Sequence, residues 1–281
     1  MSSAFTVTPM SNVLELKPGE TYEGYLLVAC PDNSKDDFSY RVEVSPYSVI
    51  GKEYNADLTT ISNNTAVTNW IKVSNPTGTI KPNESVRVKY TITVPEDAPG
   101  GGQYAALVVN KGADSSNSTE SIGINNVFGI ASVIYARIDG EINHSGEVLE
   151  NTIPGFTTNL PAVSNVMIKN DGNVHELADI YLKIKNVFNG ETVYPKEGSS
   201  GGIEEVVMPG TTRYLQQNIK DISPLGIYEI TQTIDYMGQS NVVTQTMVVC
   251  PIWFMFLVFV TVCSIISYII SRVLKRKKSK E

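Results

Sequence analysis

The chain has 281 residues, a formal net charge of −7 and 42% hydrophobic residues. Its last ten residues, from Arg272, hold six bases and one acid, so the rest carries about −12. That acidity excludes nucleic acid and anionic membrane surfaces as ligands of the main body.

The opening "MSSAFTVTPM" has neither a basic n-region nor an apolar h-region, so it does not read as an export signal. Strand-like runs follow. In "FSYRVEV", Phe38, Tyr40, Val42 and Val44 alternate with polar residues. In "SVRVKYTITV", Val86, Val88, Tyr90, Ile92 and Val94 alternate with Arg87, Lys89, Thr91 and Thr93. One apolar and one polar face is the mark of a half-buried antiparallel strand. Turn signals separate the runs: "KPGE", "CPDNSKDD", "SNPTG", "KPNE" and "EDAPGGG". "LELKPGETYEGYLLV" and "GTIKPNESVRVKYTITV" echo each other, and both read as strand–turn–strand corners of one sandwich. Helical periodicity is nearly absent. Many short strands with such punctuation predict a β-sandwich.

The first module is expected over 1–137, closed by "VFGIASVIYARI", with "DGE" as the break. The second is expected over 138–249. Its strands are "AVSNVMIKN", "LADIYLKIKNVF", "TTRYLQQNIK" and "GIYEITQTIDYM". In the last of these, Ile227, Glu229 and Thr231 alternate with Tyr228, Ile230 and Gln232, which leaves the buried face open.

"VVCPIWFMFLVFV" is of another kind. No charged residue occurs from Asn241 to Ser271. "NVVTQTMVV" reads as a strand, and Pro251 suits a first helical position. A helix from Pro251 to Ser271, inside a segment 250–271, would be roughly 31 Å long, close to the ~30 Å hydrocarbon core. Trp253 and Tyr268 suit its two interfaces. Arg272, Lys275, Arg276, Lys277 and Lys278 follow in a basic tail, 272–281, read as a stop-transfer anchor too short to fold. The positive-inside rule then places the C-terminus in the cytoplasm and the rest outside. A signal removed or omitted ahead of residue 1 is expected; the alternative is a tail-anchored protein facing the cytoplasm. No flexible stalk precedes Pro251, so the second module is expected against the outer membrane face.

Cys30 stands apart from Cys250 and Cys263, which belong to the apolar run or its edge, so no disulfide framework is expected. His144 and His175 lack metal-like neighbours. Asn170, Asp171 and Asn173 in "NDGNVHE" lack the spacing and terminal Glu of an EF-hand and read as a β-turn. "PGGGQ" has no phosphate-loop lysine or helix after it and reads as a turn. Asp36–Asp37 and Glu204–Glu205, in loop-like or turn-flanking sequence, read as solvated charges. Asn63, Asn83, Asn117 and Asn143 open Asn-x-Ser/Thr sites and mark exposed turns. Trp70 is read as a strand residue filling the core, or, if exposed, as a sugar- or partner-stacking side chain. No catalytic residue, metal site or cofactor is expected.

"FTVTP", "LELKPGETYEGYLLV" and "WIKVSNPTGTIKPNESVRVKYTITVPEDAPGGGQYAALVV" resemble the first domain of WxL-interacting proteins, Gram-positive surface proteins. That domain carries the uncharacterised-domain label DUF916. "MIKNDGNVHELADIYLKIKN", "VMPGTTRYL", "LGIYEITQTIDYMG" and "VVCPIWF" resemble their second domain and anchor. The resemblance covers most of the chain. It implies an all-β fold of two tandem immunoglobulin-like β-sandwiches and one C-terminal transmembrane helix. It also implies peptidoglycan binding by the first domain, host or matrix binding by the second, and a surface complex with WxL proteins. The expected function is a non-enzymatic, membrane-anchored surface protein that binds peptidoglycan, another wall polymer or partner surface proteins. The alternatives are an assembly module that takes a partner strand by β-augmentation, or an adhesin for host or matrix protein. An exposed sheet edge without protective charge would favour assembly.

Overall fold

The computed structural model describes residues 5–30, 37–111 and 129–278, with backbone alone for 273–278. Asp36, Asn117 and most of the "CPDNSKDD" turn lie outside the described residues. The chain divides into two compact units. The first takes in residues up to 146 together with 169–176 and 206–213; the second takes in 147–168, 177–205 and the chain from 214 on.

The first unit contains β1 (Thr6–Thr8), β2 (Ser11–Leu16), β3 (Thr21–Ala29), β4 (Phe38–Pro46), β5 (Ser48–Ile50), β6 (Asn55–Asp57), β7 (Ile71–Val73), β8 (Thr77–Ile80), β9 (Ser85–Thr93), β10 (Gly101–Lys111) and β11 (Gly129–Ile138). Two sheets form, in the orders β1-β3-β9-β7 and β2-β11-β10-β4-β8, with β5–β6 as a separate hairpin. Their inner faces share one core that includes Leu26, Val42, Val88, Tyr90, Ile92, Leu107 and Ile134. Each large side chain buried this way contributes about 1.5–3 kcal/mol. The alternation predicted for β4 and β9 is the alternation observed.

The two echoed motifs perform one task. Lys17–Glu20 carries the chain from β2 in one sheet to β3 in the other, and Lys81–Glu84 does the same from β8 to β9. Each closes a four-residue turn, Glu20 N–H to Lys17 C=O at 3.0 Å and Glu84 N–H to Lys81 C=O at 3.1 Å. Pro presets the second position, and the third has positive φ, +78° at Gly19 and +64° at Asn83.

Two local expectations are corrected. The first unit contains a 3₁₀ turn, Asn63–Asn69, and Trp70 is its C-terminal cap rather than a strand residue. Gly101 and Gly102 do not form a turn; they begin β10. A Cβ on Gly102 would lie 1.9 Å from the Tyr104 hydroxyl, so only glycine permits that close approach.

The remaining strands are β12 (Gly146–Thr152), β13 (Phe156–Thr157), β14 (Ala162–Asn170), β15 (Glu176–Asn186), β16 (Thr192–Tyr194), β17 (Gly202–Val207), β18 (Thr211–Ile219), β19 (Gly226–Tyr236) and β20 (Gln239–Val249). One sheet runs β12-β14-β18; the other runs β13-β20-β19-β15-β16, with β17 also on β15. The core of the second unit holds Leu182, Ile184, Ile219, Tyr228, Ile230, Met247 and Val249. Tyr228, Ile230, Gln232, Ile234 and Tyr236 form the buried face of β19, which settles that alternation. Glu204 and Glu205 lie in β17, the strand that leads into the turn at Pro209 and Gly210.

The helix α1 spans Ile252–Lys278, starting one residue later and ending seven residues later than expected. Pro251 is outside it: the Pro251 carbonyl accepts the Phe254 and Met255 amides at 3.0 and 3.1 Å, the position of a cap. The basic tail continues the helix because no Gly or Pro interrupts it, and Lys and Arg are good helix formers. Ile252–Arg272 is long and apolar enough to cross a membrane, with a mean hydropathy of 2.4 and none of it buried by the rest of the chain.

Gly19→Ala, placed at positive φ, should cost about 1–2 kcal/mol in chemical denaturation. Asn83→Gly should change stability by only a few tenths, because glycine accepts the same φ freely. Equal effects at both positions would contradict the shared turn geometry.

Candidate functional site

Each unit begins with a strand divided between its two sheets. In the first unit, β1 pairs with β3, and after Pro9 the chain crosses to β2, which runs parallel to the last strand, β11. In the second, β12 pairs with β14, and after Pro154 the chain crosses to β13, parallel to the last strand, β20. Proline has no amide hydrogen to extend a ladder, so it suits both crossings.

The two closures differ in length. β2 covers β11 over six residues, Val133–Ile138. β13 covers β20 only at Val248 and Val249. Along the other side, β20 pairs with β19 over its full length in unbroken register, from Gly226 opposite Val249 to Tyr236 opposite Gln239. Among the described residues, Gln239–Met247 has no strand on its outer edge.

The direction of the free backbone groups follows from the ladder. The Val248 and Cys250 amides point away from β19, toward Gly155 C=O and Thr157 C=O, both at 3.0 Å. In a regular strand alternate residues point the same way, so the amides of Thr246, Thr244 and Val242 face outward too. Val242 is 56% exposed, and its neighbours Asn241 and Thr244 are exposed as well. Gln239–Val249 contains no charged residue and no proline, the usual means of protecting an edge. A side-chain contact marks the inner face: Asn151 donates to Asn241 Oδ1 at 2.8 Å and accepts from buried Gln232 Nε2 at 3.0 Å.

The residues singled out by sequence sit elsewhere. Trp70 is partly buried against the first core. Its amide donates to Val67 C=O at 2.9 Å, and its carbonyl accepts from Thr93 at 3.0 Å. Trp253 and Tyr268 are exposed on α1, with the Arg272 guanidinium 5.8 Å from the Tyr268 ring centre. Lys275, Arg276, Lys277 and Lys278 lie on the last turns of α1. Asp171 and Asn173 form the turn before β15. Cys30 is a buried free thiol. His144 pairs with Glu176 at 2.6 Å on the surface.

His175 is a different matter, because its burial was not legible in sequence. It is 4% exposed, between the rings of Tyr104 and Tyr135 in the first unit. The Tyr104 hydroxyl accepts the His175 amide at 2.8 Å and lies 3.3 Å from Nδ1. Burial, helped by the Arg137 charge, lowers the imidazole from its ordinary 6.5 to about 4. Burial likewise raises both tyrosines above the usual phenol range. The Gly102 amide donates to Asn173 C=O at 2.7 Å beside them. This is a closed structural cluster.

No family model matches the chain, and no curated protein matches it. Solved structures do. A chain from the chaperone–tip adhesin complex of CFA/I fimbriae biogenesis aligns over 86% of this chain and 98% of its own, at 14% identity and TM-score 0.40. The chaperone–tip adhesion subunit pre-assembly complex of the archaic chaperone-usher Csu pili of Acinetobacter baumannii aligns over 86% and 98%, at 14% identity and TM-score 0.41. The E. coli chaperone DraB aligns over 86% and 96%, at 10% identity and TM-score 0.39. Similarity this low transfers nothing to this chain.

Neutral His175 stabilises the fold relative to a charged one, so its contribution is complete above pH 6.5 and is lost as pH falls toward 4. The loss should reach about 3 kcal/mol in urea titrations. His175→Phe should flatten that segment of the pH profile. An unchanged slope in this variant would mean that His175 is not the group responsible.

Proposed function

We propose that the chain is a non-enzymatic, membrane-anchored binding protein that takes an extended segment of a partner protein along the outer edge of β20. The observation that carries this reading is the edge of Gln239–Met247, uncharged, proline-free and, among the described residues, unpaired on its outer side. Such an edge offers main-chain donors and acceptors in fixed register, which is what β-strand addition uses for affinity. The α1 helix serves as the anchor, with the basic C-terminus in the cytoplasm and both units outside. The units are Ig-like sandwiches on this reading.

The resemblance to WxL-interacting proteins implies two partner classes, WxL-type surface proteins and peptidoglycan. An unpaired strand edge favours the protein. A wall polymer makes little use of a strand ladder, and Trp70 is committed in part to the core.

A photoreactive residue at Thr244, exposed on the same edge, in the full chain on intact cells should capture a protein partner. Val242→Pro removes one outward amide while leaving the β19 side of the ladder in place, so it should abolish capture at nearly unchanged Tm. Retention of the protein on purified sacculi, indifferent to Val242→Pro, would overturn the strand-edge reading and favour wall polymer.

A further inference from the structure

The end of the second unit from which α1 departs is identified by register. Gly226 lies opposite Val249, which only two residues separate from α1. Asn186 lies opposite Tyr228, and the Val187 amide continues that ladder to Ile227 C=O at 3.0 Å. Phe156 lies beside Val248. The loops after β15 and before β19, together with β13, therefore meet at the base of α1.

This end is apolar where it is exposed. Phe188 is 77% exposed, Phe156 52%, Val187 50% and Leu225 40%. Phe188 is held out rather than loose. Its amide donates to Asn186 Oδ1 at 2.9 Å, Gly190 N–H donates to Asn186 C=O at 2.9 Å, and Asn186 N–H donates to Glu191 C=O at 2.8 Å. A phenyl ring fixed at the tip of a hydrogen-bonded loop, with further apolar side chains at the same end, marks a contact surface. In the two loops, 187–191 and 220–225, the charged residues are Glu191, Lys220 and Asp221. The end is thus nearly neutral, unlike the acidic chain outside the tail.

The linker adds a second constraint. Only Cys250 and Pro251 separate β20 from α1. The Cys250 amide is tied to Thr157 C=O at 3.0 Å, and Pro251 caps the helix. A short, pinned connection keeps this end within a few residues of Trp253, which is exposed at the start of the apolar span.

We infer that this end of the second unit rests in the interfacial layer of the bilayer that α1 spans, with Phe188, Val187, Leu225 and Phe156 inserted among headgroups and upper acyl chains. Aromatic and aliphatic side chains partition to that layer, and their seating would hold the unit against the membrane instead of leaving it swinging on α1. The inference rests on α1 spanning the membrane, and the test separates the two.

The full chain is placed in phosphatidylcholine nanodiscs with one environment-sensitive fluorophore per variant. In a Cys250→Ser, Cys263→Ser background the label goes on Phe188→Cys, Leu225→Cys or Gln239→Cys, the last at the opposite end of β20. In Cys250→Ser alone it goes on native Cys263, within the span. Cys30 is buried and stays unlabelled. Quenching by spin-labelled lipid, with the spin label shallow for 188, 225 and 239 and deep in the acyl chain for 263, is compared with quenching by aqueous iodide. The expected result is lipid quenching with protection from iodide at 188, 225 and 263, and the reverse at 239. Lipid quenching at 263 with iodide access at 188 and 225, as a protein-docking or solvated end would give, overturns the inference while the anchor stands. No lipid quenching at 263 removes the anchor, and the inference falls with it.

Discussion

Each amide and carbonyl along a strand edge must find a partner or stay in water, and the last strand of a sandwich meets this demand at a place its own sheet cannot reach. Here the answer comes from the first strand of each unit, divided at a proline so that its second half returns beside the last strand. In the first unit the returning segment covers six residues of β11. In the second it covers two residues of β20. The same device, shortened, leaves a nine-residue stretch of backbone with no neighbouring strand on its outer side among the described residues. The difference lies in how long β2 and β13 are, not in the strands they cover.

What keeps that edge straight enough to be used is the rest of the second unit. β19 is paired on both sides, by β20 and β15, and its buried face is fixed by Tyr228, Ile230 and Ile234. A one-residue slip would turn those side chains to solvent, so the register of β20 is set by core burial several residues away from the edge itself. Among the described residues no strand would have to be displaced from the outer side of Gln239–Met247 for another segment to pair there.

Much of this was legible where burial is one-sided. Val88, Tyr90 and Ile92 announce β9 because a half-buried strand imprints its period on the sequence. The corners at Lys17–Glu20 and Lys81–Glu84 were legible as echoes, since Pro and a residue tolerant of positive φ have a local cause. β10 was less so: Gly101 to Leu107 is buried on both faces, which erases the period, and its glycines read as a turn when they admit the Tyr104 hydroxyl. His175 gave no signal, because Tyr104 lies 71 residues away. The 3₁₀ turn before Trp70 is too short to show periodicity. The chemistry of β20 was visible as an absence of charge, but the missing neighbour was not, since strand pairing is a long-range property. The start of α1 followed from Pro251 and the loss of charge; its end did not, because the basic residues that stop transfer are also good helix formers.

One strand links the two surfaces. β20 offers its edge over Gln239–Met247 and hands the chain to α1 just after Val249. At about 3.4 Å per residue, Val242 lies roughly 24 Å along the strand from Val249, and Gln239 roughly 34 Å. Those lengths are upper bounds on height above the base of α1, whatever the tilt of the strand. On the proposed function, a partner segment seated on β20 would therefore be held within a few tens of ångströms of the bilayer. On the proposed reading, a firm seat for the base of the unit would fix the direction of that segment as well as its height, so the apolar end and the open edge would act on the same partner through one strand.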